Sequence, residues 1–278
     1  MNRSATQEIL SSDAFTGRHI DGAVRLSREA SWPHRPEDWK LVHSVSTGVV
    51  ALNGDDVVGT ALRSDFGDVS TLSMIIVDAR MRGRGLGRKL MAQMMDGTDA
   101  RELRLVATAD GLPLYEKLGF QAVGEILQHQ GIAKAATPER AVEEVDAVEA
   151  ADLMSFTTLD LAASGMDRGA LLTRIAGIGT VFRAEGGFAM LRPFGRGQLV
   201  GPIVARDAVT ARALIAAAAS RVEGQFLRID MPMNVAEPQF VESLGLSHVG
   251  GGTAMVCGPK SRPTSEHKTF ALAAQALG

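Results

Sequence analysis

The sequence predicts an α/β (α+β) chain in two tandem halves. Three observations predict it. An antiparallel hairpin signal stands at Asn53-Gly54-Asp55, a strand enters a glycine-rich turn and leaves it as a helix in "MIIVDARMRGRGLGRKLM" (residues 74–91), and the order of helices and strands recurs in the second half. With 278 residues, 45% hydrophobic and 22% charged, the chain is long enough for two packed domains of roughly 100 to 200 residues each.

The elements follow in order. "DGAVRLSREA" and "PEDWKLVHSV" carry helical patterns. "TGVVALNG" and "DDVVGTALRS" read as strands flanking the hairpin turn, because Asn and Gly tolerate the positive φ that tight hairpins require. A third strand, "VSTLSMIIVD", delivers the chain to the glycine turn. "LGRKLMAQMM" then places Leu86, Leu90, Met91 and Met94 at helical spacing, followed by the strand "ELRLVAT", the short helix "LPLYEKLG" and the strand "FQAVGEIL". Gly119 stands where a C-cap ends that short helix. "GIAKAATPERAVEEV" (residues 131–145), rich in Ala and Glu, breaks the pattern and reads as a linker.

The second half repeats the order. It reads as helices "ADLMSFTTLDLAA" and "DRGALLTRIAG", strands "TVFRAEGG", "FAMLRPFGRG" and "LVGPIVARD", helix "AVTARALIAAAASRV", strand "FLRIDMP", helix "PQFVESLG" and strand "LSHVGGGTAMVCG". "LRLVAT" is answered by "FLRIDM", and "YEKLGF" by "VESLGL", so an internal repeat of about half the chain is the economical reading. The two domains expected are residues 1–132 and 145–278.

Charge and composition exclude several classes. The formal net charge is −3, which gives no global attraction to a polyanion, so any anion must meet a local patch. Arg80, Arg82, Arg84, Arg88 and Lys89 form one, in a stretch from residue 79 to 95 without an acid. These cations are confined to one turn and no aromatic platform accompanies them, which argues against nucleic acid. The six histidines lack ligand spacing, so no metal site is expected. Cys257 is the only cysteine; it excludes an internal disulfide and is expected as a buried, inert thiol in a reducing compartment. No signal peptide and no membrane-spanning run is seen, so the expected location is the cytoplasm, with no membrane partner.

A strand that ends in a glycine-rich turn and opens a helix makes an anion site. The first-turn amides have no intrahelical partner and the helix dipole adds about half a positive charge there. At Gly83, Gly85 and Gly87 no side chain blocks those amides, while Arg82, Arg84 and Arg88 add charge that can pair with phosphate oxygens. The spacing fits neither a P-loop nor a dinucleotide turn. An arginine-rich turn on a solvated surface is the alternative that the turn alone leaves open.

Arg82-Gly83-Arg84-Gly85-Leu86-Gly87 resembles the R/Q-x-x-G-x-G/A pyrophosphate loop of the GNAT superfamily of acyl-CoA-dependent N-acetyltransferases. "LPLYEKLGF" resembles that family's next motif, in the expected order over roughly residues 10 to 130. "SWPHRPEDWK" and "ATADGLPLYEKLGF" further resemble a tandem branch, in which this domain precedes a divergent second copy. The resemblance implies two GNAT-like domains, each a mixed, mostly antiparallel twisted sheet flanked by helices. It implies that the backbone of Ile75, Ile76 and Val77 pairs with the pantetheine arm of acetyl-CoA. It also implies that residues 82–88, including Leu86, hold the pyrophosphate.

Tyr115, the only tyrosine, matches the position from which many members protonate the CoA sulfur; the alternative is a tyrosine whose hydroxyl rests on a backbone carbonyl. Thr108 and Gly111 depart from the asparagine and alanine common in related motifs, though Thr108 can still donate to the pantetheine. The strand offers Ser70, Thr71 and Ser73 where some members place a glutamate base. The general base is therefore unassigned, with a water chain to His43 or a distant carboxylate as routes. Trp32 and Trp39 lie where this fold lines its acceptor site, as a wall or as packing, and the expected acceptor is an amine of a small molecule. The expected activity is acetyl transfer, with a non-catalytic acetyl-CoA sensor as the alternative.

In the second half "VARDAVTARALIA" has no glycine and the tyrosine position is Val241, so this copy is expected neither to bind CoA in the usual way nor to transfer acetyl. Asp207, Asp230 and Asn234 lie near its strand ends, as helix caps or as a site. The tail "KTFALAAQALG" is apolar enough to dock.

Overall fold

The computed structural model describes residues 10–98, 100–145, 148–259 and 265–278. The reading of the extreme N-terminus therefore lies, for residues 1–9, outside the described residues. The chain forms two compact units: one of residues Met1–Ser64 and Leu72–Asp99, the other of Asp65–Thr71 and Ala100–Gly278.

The first unit holds β1 (Leu10–Ala14), α1 (Ile20–Glu29), α2 (Pro36–His43), β2 (Thr47–Asn53), most of β3 (Asp56–Phe66) and of β4 (Val69–Val77), and α3 (Leu86–Met95). β1 pairs antiparallel with β2, and β2 with β3 across the expected hairpin, where Asn53 faces Asp56 and Gly54 takes φ 61°. β1 escaped the sequence reading because "LSSDA" is short, largely polar and lacks alternation. Apolar spacing closes the unit's core: Leu26 of α1, Trp39 of α2, Val50 of β2, Leu62 of β3 and Leu90 and Met91 of α3 are each at most 1% exposed.

The second unit holds β5 (Glu102–Ala107), α4 (Leu112–Lys117), β6 (Gln121–Ile132), β7 (Val142–Val145), α5 (Ala150–Ser164), α6 (Gly169–Ala176), β8 (Thr180–Ala184), β9 (Gly187–Phe194), β10 (Gly197–Ala205), α7 (Ala208–Arg221), β11 (Phe226–Pro232), α8 (Pro238–Ser243), β12 (Leu246–Cys257) and β13 (Lys268–Ala271). Residues 69–71 at the start of β4, which belong to this unit, pair in parallel with residues 102–104 of β5. From there the strands run β5, β12, β6, β11, β10, β9, β8, β7. All of these neighbours are antiparallel except β10 and β11.

β12 is the last long strand of the second repeat, yet it inserts between β5 and β6 of the first. The repeats therefore exchange strands, and compactness assigns residues 100–132 to the unit of the second half, whereas the repeat in sequence assigns them to the first. The expected linker ends in β7, an edge strand on β8. α7 is alanine-rich on several sides and buries Ala211, Leu214, Ile215 and Ala218 over the sheet with Val200 of β10 and Ile229 of β11. Small side chains let that helix lie close to the strands.

The tail docks as expected. β13 pairs antiparallel with β10, and Leu272 N donates to Asp230 O of β11 at 2.9 Å. Arg168, fully buried beside Asp160 at 2.6 Å, donates to the carbonyls of Leu277 and Gly278. Cys257 departs from expectation: it is half-buried, as the last residue of β12, where the strand leaves the buried Met255 and Val256.

Candidate functional site

β4 carries a break in its own regularity. Met74 takes φ 52°, a left-handed conformation that costs an L residue roughly 1–2 kcal/mol, and Thr60 Oγ1 donates to Met74 O at 2.7 Å. Such a kink re-aims the backbone that follows, here Ile75, Ile76 and Val77, of which Ile76 is buried and its neighbours half-buried. Nothing in "STLSMIIV" announces it, since no Gly or Asn marks the position.

The chain then turns on Asp78. Its carboxylate accepts from Arg80 N at 2.9 Å and from the Arg80 guanidinium at 3.0 and 2.6 Å, with Arg25 at 3.5 Å. The side-chain bonds from Arg80 hold the Asp78 carboxyl far below the usual range, against the opposing cost of its burial. This corrects the reading of the basic patch. Arg80 is engaged by the acid just outside the acid-free stretch, while Arg82, Arg84, Arg88 and Lys89 on the turn are exposed.

Gly83 and Gly85 both take φ 77°, and a Cβ on either would meet nothing within 4 Å. Glycine is required there by the dihedral angle, and the space that it leaves is open. Met81 and Leu86 are buried on either side of the turn and pin it. Among the described residues, the backbone bonds of this helix start begin with Lys89 N on Gly85 O at 3.1 Å. The amides of residues 83–88 therefore precede the first intrahelical bond, and no acid lies in the first turn of α3. An extended anion fits this turn on chemistry alone.

In the second unit, α4 carries Tyr115, 7% exposed, with its ring edge-on to Phe120 at 6.2 Å between centroids. Burial pushes its phenol up to about 12. It is therefore a protonated donor across the neutral range. Gly111 makes room for it: a Cβ there would come within 2.8 Å of Tyr115 Cε2 and 3.3 Å of its hydroxyl oxygen. The departure from alanine thus has a steric account. Thr108 is exposed, and its Oγ1 accepts from Gly111 N at 3.2 Å, so it holds the entry of α4 while its own hydroxyl proton stays available.

Of the strand hydroxyls, Ser70 donates to Asp65 Oδ1 at 2.6 Å, whereas Thr71 Oγ1 and Ser73 Oγ are buried without a hydrogen-bond partner among the described residues. His43 is half-buried, with Nδ1 unpartnered and its ring edge-on to Phe15 at 5.2 Å. The two tryptophans part company. Trp39 is 0% exposed, stacks on Phe15 at 5.6 Å and donates its indole N–H to Ser27 Oγ at 3.0 Å, so it is a core residue and no acceptor wall. Helical spacing turns it inward. Trp32 is half-buried beside His34.

In the second half Asp207 caps α7, accepting from Thr210 N at 2.8 Å, a bond that lowers its carboxyl from the ordinary value. Asp230 does something the sequence did not indicate. Fully buried, it holds Arg228 at 2.9 Å and accepts from Gln275 Nε2 of the tail at 3.0 Å. β10 and β11 pair in parallel only over residues 198–200 and 227–229, and past that point β13 takes up the bonding edge of β10. The space that opens between two parallel strands is thus filled by the chain itself.

Profiles described as "Acetyltransferase (GNAT) domain" match residues 33–135 and, separately, residues 156–271. The chain is 28% identical, over 94% of its length and 95% of the relative's, to a Bacillus subtilis protein named "Uncharacterized N-acetyltransferase YitH". A solved structure from Pyrococcus horikoshii superimposes with a TM-score of 0.83 over 100% of this chain and 99% of its own, at 18% identity. A tandem GNAT protein from the clavulanic acid biosynthesis pathway matches with a TM-score of 0.63 over 91% of this chain and 100% of its own, at 13% identity. Among the described residues no helix is long and apolar enough to cross a membrane. With a GNAT domain matched in each half and an N-acetyltransferase relative along nearly its whole length, the chain belongs to the GNAT acetyltransferases as a tandem-domain member and is an N-acetyltransferase.

Proposed function

We propose that the group transferred is the acetyl of acetyl-CoA and that the acceptor is an amine of a small molecule, reached by direct transfer. The observation that carries this reading is the turn at residues 83–88, where two left-handed glycines leave open space over amides that precede the first intrahelical bond, beside exposed arginines. In this reading those amides and Arg82, Arg84 and Arg88 hold the diphosphate, and the backbone of residues 75–77 pairs with the pantetheine arm. The acceptor nitrogen forms a bond to the acetyl carbon, the carbon–sulfur bond breaks, and the sulfur takes a proton from Tyr115.

A phenol raised to about 12 suits that role better than its value suggests. Burial penalises a thiolate forming in the same surroundings as it penalises the phenolate, so the two basicities rise together. No residue is assigned as base: the amine arrives neutral or gives its ammonium proton to solvent, and the further N–H proton lost as the amide forms passes to solvent, from which the Tyr115 phenolate is reprotonated. The second half is read as a non-catalytic copy, supported by β13 in the space between β10 and β11. Thiol release from acetyl-CoA with a panel of small amines tests the reading; release with none of them overturns it.

A further inference from the structure

A cavity of about 810 Å³ opens wholly within the second unit, walled by β5, β12, the end of α5 and the tail. It is within the size range of small-molecule sites. Arg104 and Val106 stand two apart on β5, on the face toward it, and both are half-buried, while Leu103, Leu105 and Ala107 on the other face are buried. Cys257 pairs with Leu103, and a Cβ on Gly119, just beyond α4, would lie 3.8 Å from its sulfur. The end of α4 therefore lies on the Leu103 face of the sheet, and the cavity on the opposite face.

Three features of the lining point to a ligand. Thr71 is 4% exposed and its Oγ1 has no hydrogen-bond partner among the described residues; an orphaned hydroxyl is destabilising, and a bound polar group would offset that. The lining side chains of permanent charge are Glu102, Arg104 and Lys268. Gly278 also lines the cavity, and its main-chain oxygen is held by Arg168. Glu102 is already paired with Arg104 at 2.6 Å, and Arg104 is fixed by a 2.7 Å bond to Ser164 O. Lys268 is exposed and has no ion pair among the described residues. The remaining wall is largely apolar, with Val106, Ile126, Val256 and Leu272.

We propose that this cavity binds the acceptor, and that the acceptor carries a carboxylate on an apolar body besides the amine that is acetylated. The inference rests on the acetyl-transfer reading above and deepens it. Lys268 and Arg104 receive the carboxylate, the apolar wall takes the body, and Thr71 bonds a polar group of the ligand. The divergent second half thereby acquires a role, since with its tail it builds the wall that selects the substrate.

Matched pairs that differ only by a carboxylate test this: leucine against isoamylamine, and phenylalanine against phenethylamine. Thiol release from acetyl-CoA gives kcat/KM, and ligand-observed NMR on the full chain gives binding without turnover. The acid of each pair is expected to be favoured at least tenfold, Lys268→Glu to reverse that preference, and Thr71→Val to raise KM for the acid more than it changes kcat. Lys268 is exposed, so its variant tests charge without disturbing a core. Acetylation of the amines with no preference for the acid, or a preference untouched in Lys268→Glu, overturns the cavity and leaves the enzyme reading standing. Acids that bind wild type and not Lys268→Glu, with no turnover of any pair, uphold the anion site and overturn the acetyl-transfer reading. Absence of binding by every acid overturns the proposal.

Discussion

Thr60 Oγ1 donates to Met74 O at 2.7 Å, tying a fully buried threonine of β3 to the one residue of β4 that adopts a left-handed conformation. The bond offsets part of the strain at φ 52° and gives the Met74 carbonyl a buried donor. Thr60→Val keeps the volume and removes the donor. It should cost about 1–3 kcal/mol in chemical denaturation, the penalty for a buried unsatisfied carbonyl, and raise KM for acetyl-CoA several-fold by loosening residues 75–77. A variant as stable as wild type would show that the kink holds without this bond.

The glycine turn gives a sharper prediction. A Cβ at Gly83 or Gly85 meets open space, so alanine costs only the dihedral penalty, roughly 1–2 kcal/mol, or a shift of the turn away from φ 77°. Either outcome spoils the alignment of the amides. Calorimetry should show CoA binding at least tenfold weaker in Gly83→Ala and Gly85→Ala while the fold persists. Unchanged affinity in both would remove the turn from the site.

Tyr115 can be read without interference because it is the only tyrosine. Absorbance titration of the phenolate should give a midpoint near pH 12 in the folded protein, against about 10 for an exposed phenol. The folded value is raised, so the stabilisation is complete below pH 10 and is lost as pH rises from 10 through 12, by roughly 2–3 kcal/mol. Tyr115→Phe should abolish that loss. It should also lower turnover by about a hundredfold with CoA affinity within about twofold, if the phenol donates the proton. A midpoint near 10 would mean that the ring is open to solvent.

How much of this was legible follows from how local each feature is. The hairpin at Asn53-Gly54-Asp55, the spacing of Leu86, Leu90, Met91 and Met94, and the demand for glycine at residues 83 and 85 are set by neighbours in sequence, and each could be read there. The insertion of β12 between β5 and β6 is a non-local pairing that leaves no period in the chain, so it stayed hidden. Trp39 was ambiguous because a tryptophan serves a core and a binding wall equally well, and only its burial decides. Arg80 reads as part of the anion patch because Asp78, the acid that engages it, lies one residue outside the acid-free stretch. The cavity draws on residues from Thr71 to Gln275, a set that no motif could assemble.

Asp78 and its two arginines make the start of the turn sensitive to acid. The carboxyl is depressed in the fold, so its contribution is present above an ordinary aspartate's value near 4 and is lost as pH falls below it. Asp78→Asn should destabilise the protein by about 1–3 kcal/mol at pH 7, since a buried carboxylate with charged donors is replaced by a neutral amide. The gap between wild type and variant should narrow as pH is lowered from 5 toward 3. A gap that does not change with pH would mean that the charge on Asp78 contributes nothing.

The docked tail also bears on the number of cofactor sites. If β13 occupies the space between β10 and β11, calorimetry should show one CoA per chain although two GNAT domains are matched. Gly201 permits the strand's close approach, because a Cβ there would fall 1.9 Å from Leu272 O. Gly201→Ala must therefore push the tail off β10 or move β10 itself, and a loss of several kcal/mol is expected. The stoichiometry should remain one in that variant, because α7 begins with Asp207 at its cap and no glycine in its first turn, so emptying the space does not restore an open set of amides. Two equivalents bound by wild type would show that the tail does not exclude the cofactor. A second equivalent appearing only in Gly201→Ala would show that the strand alone, and not the lost glycines, keeps the second half silent.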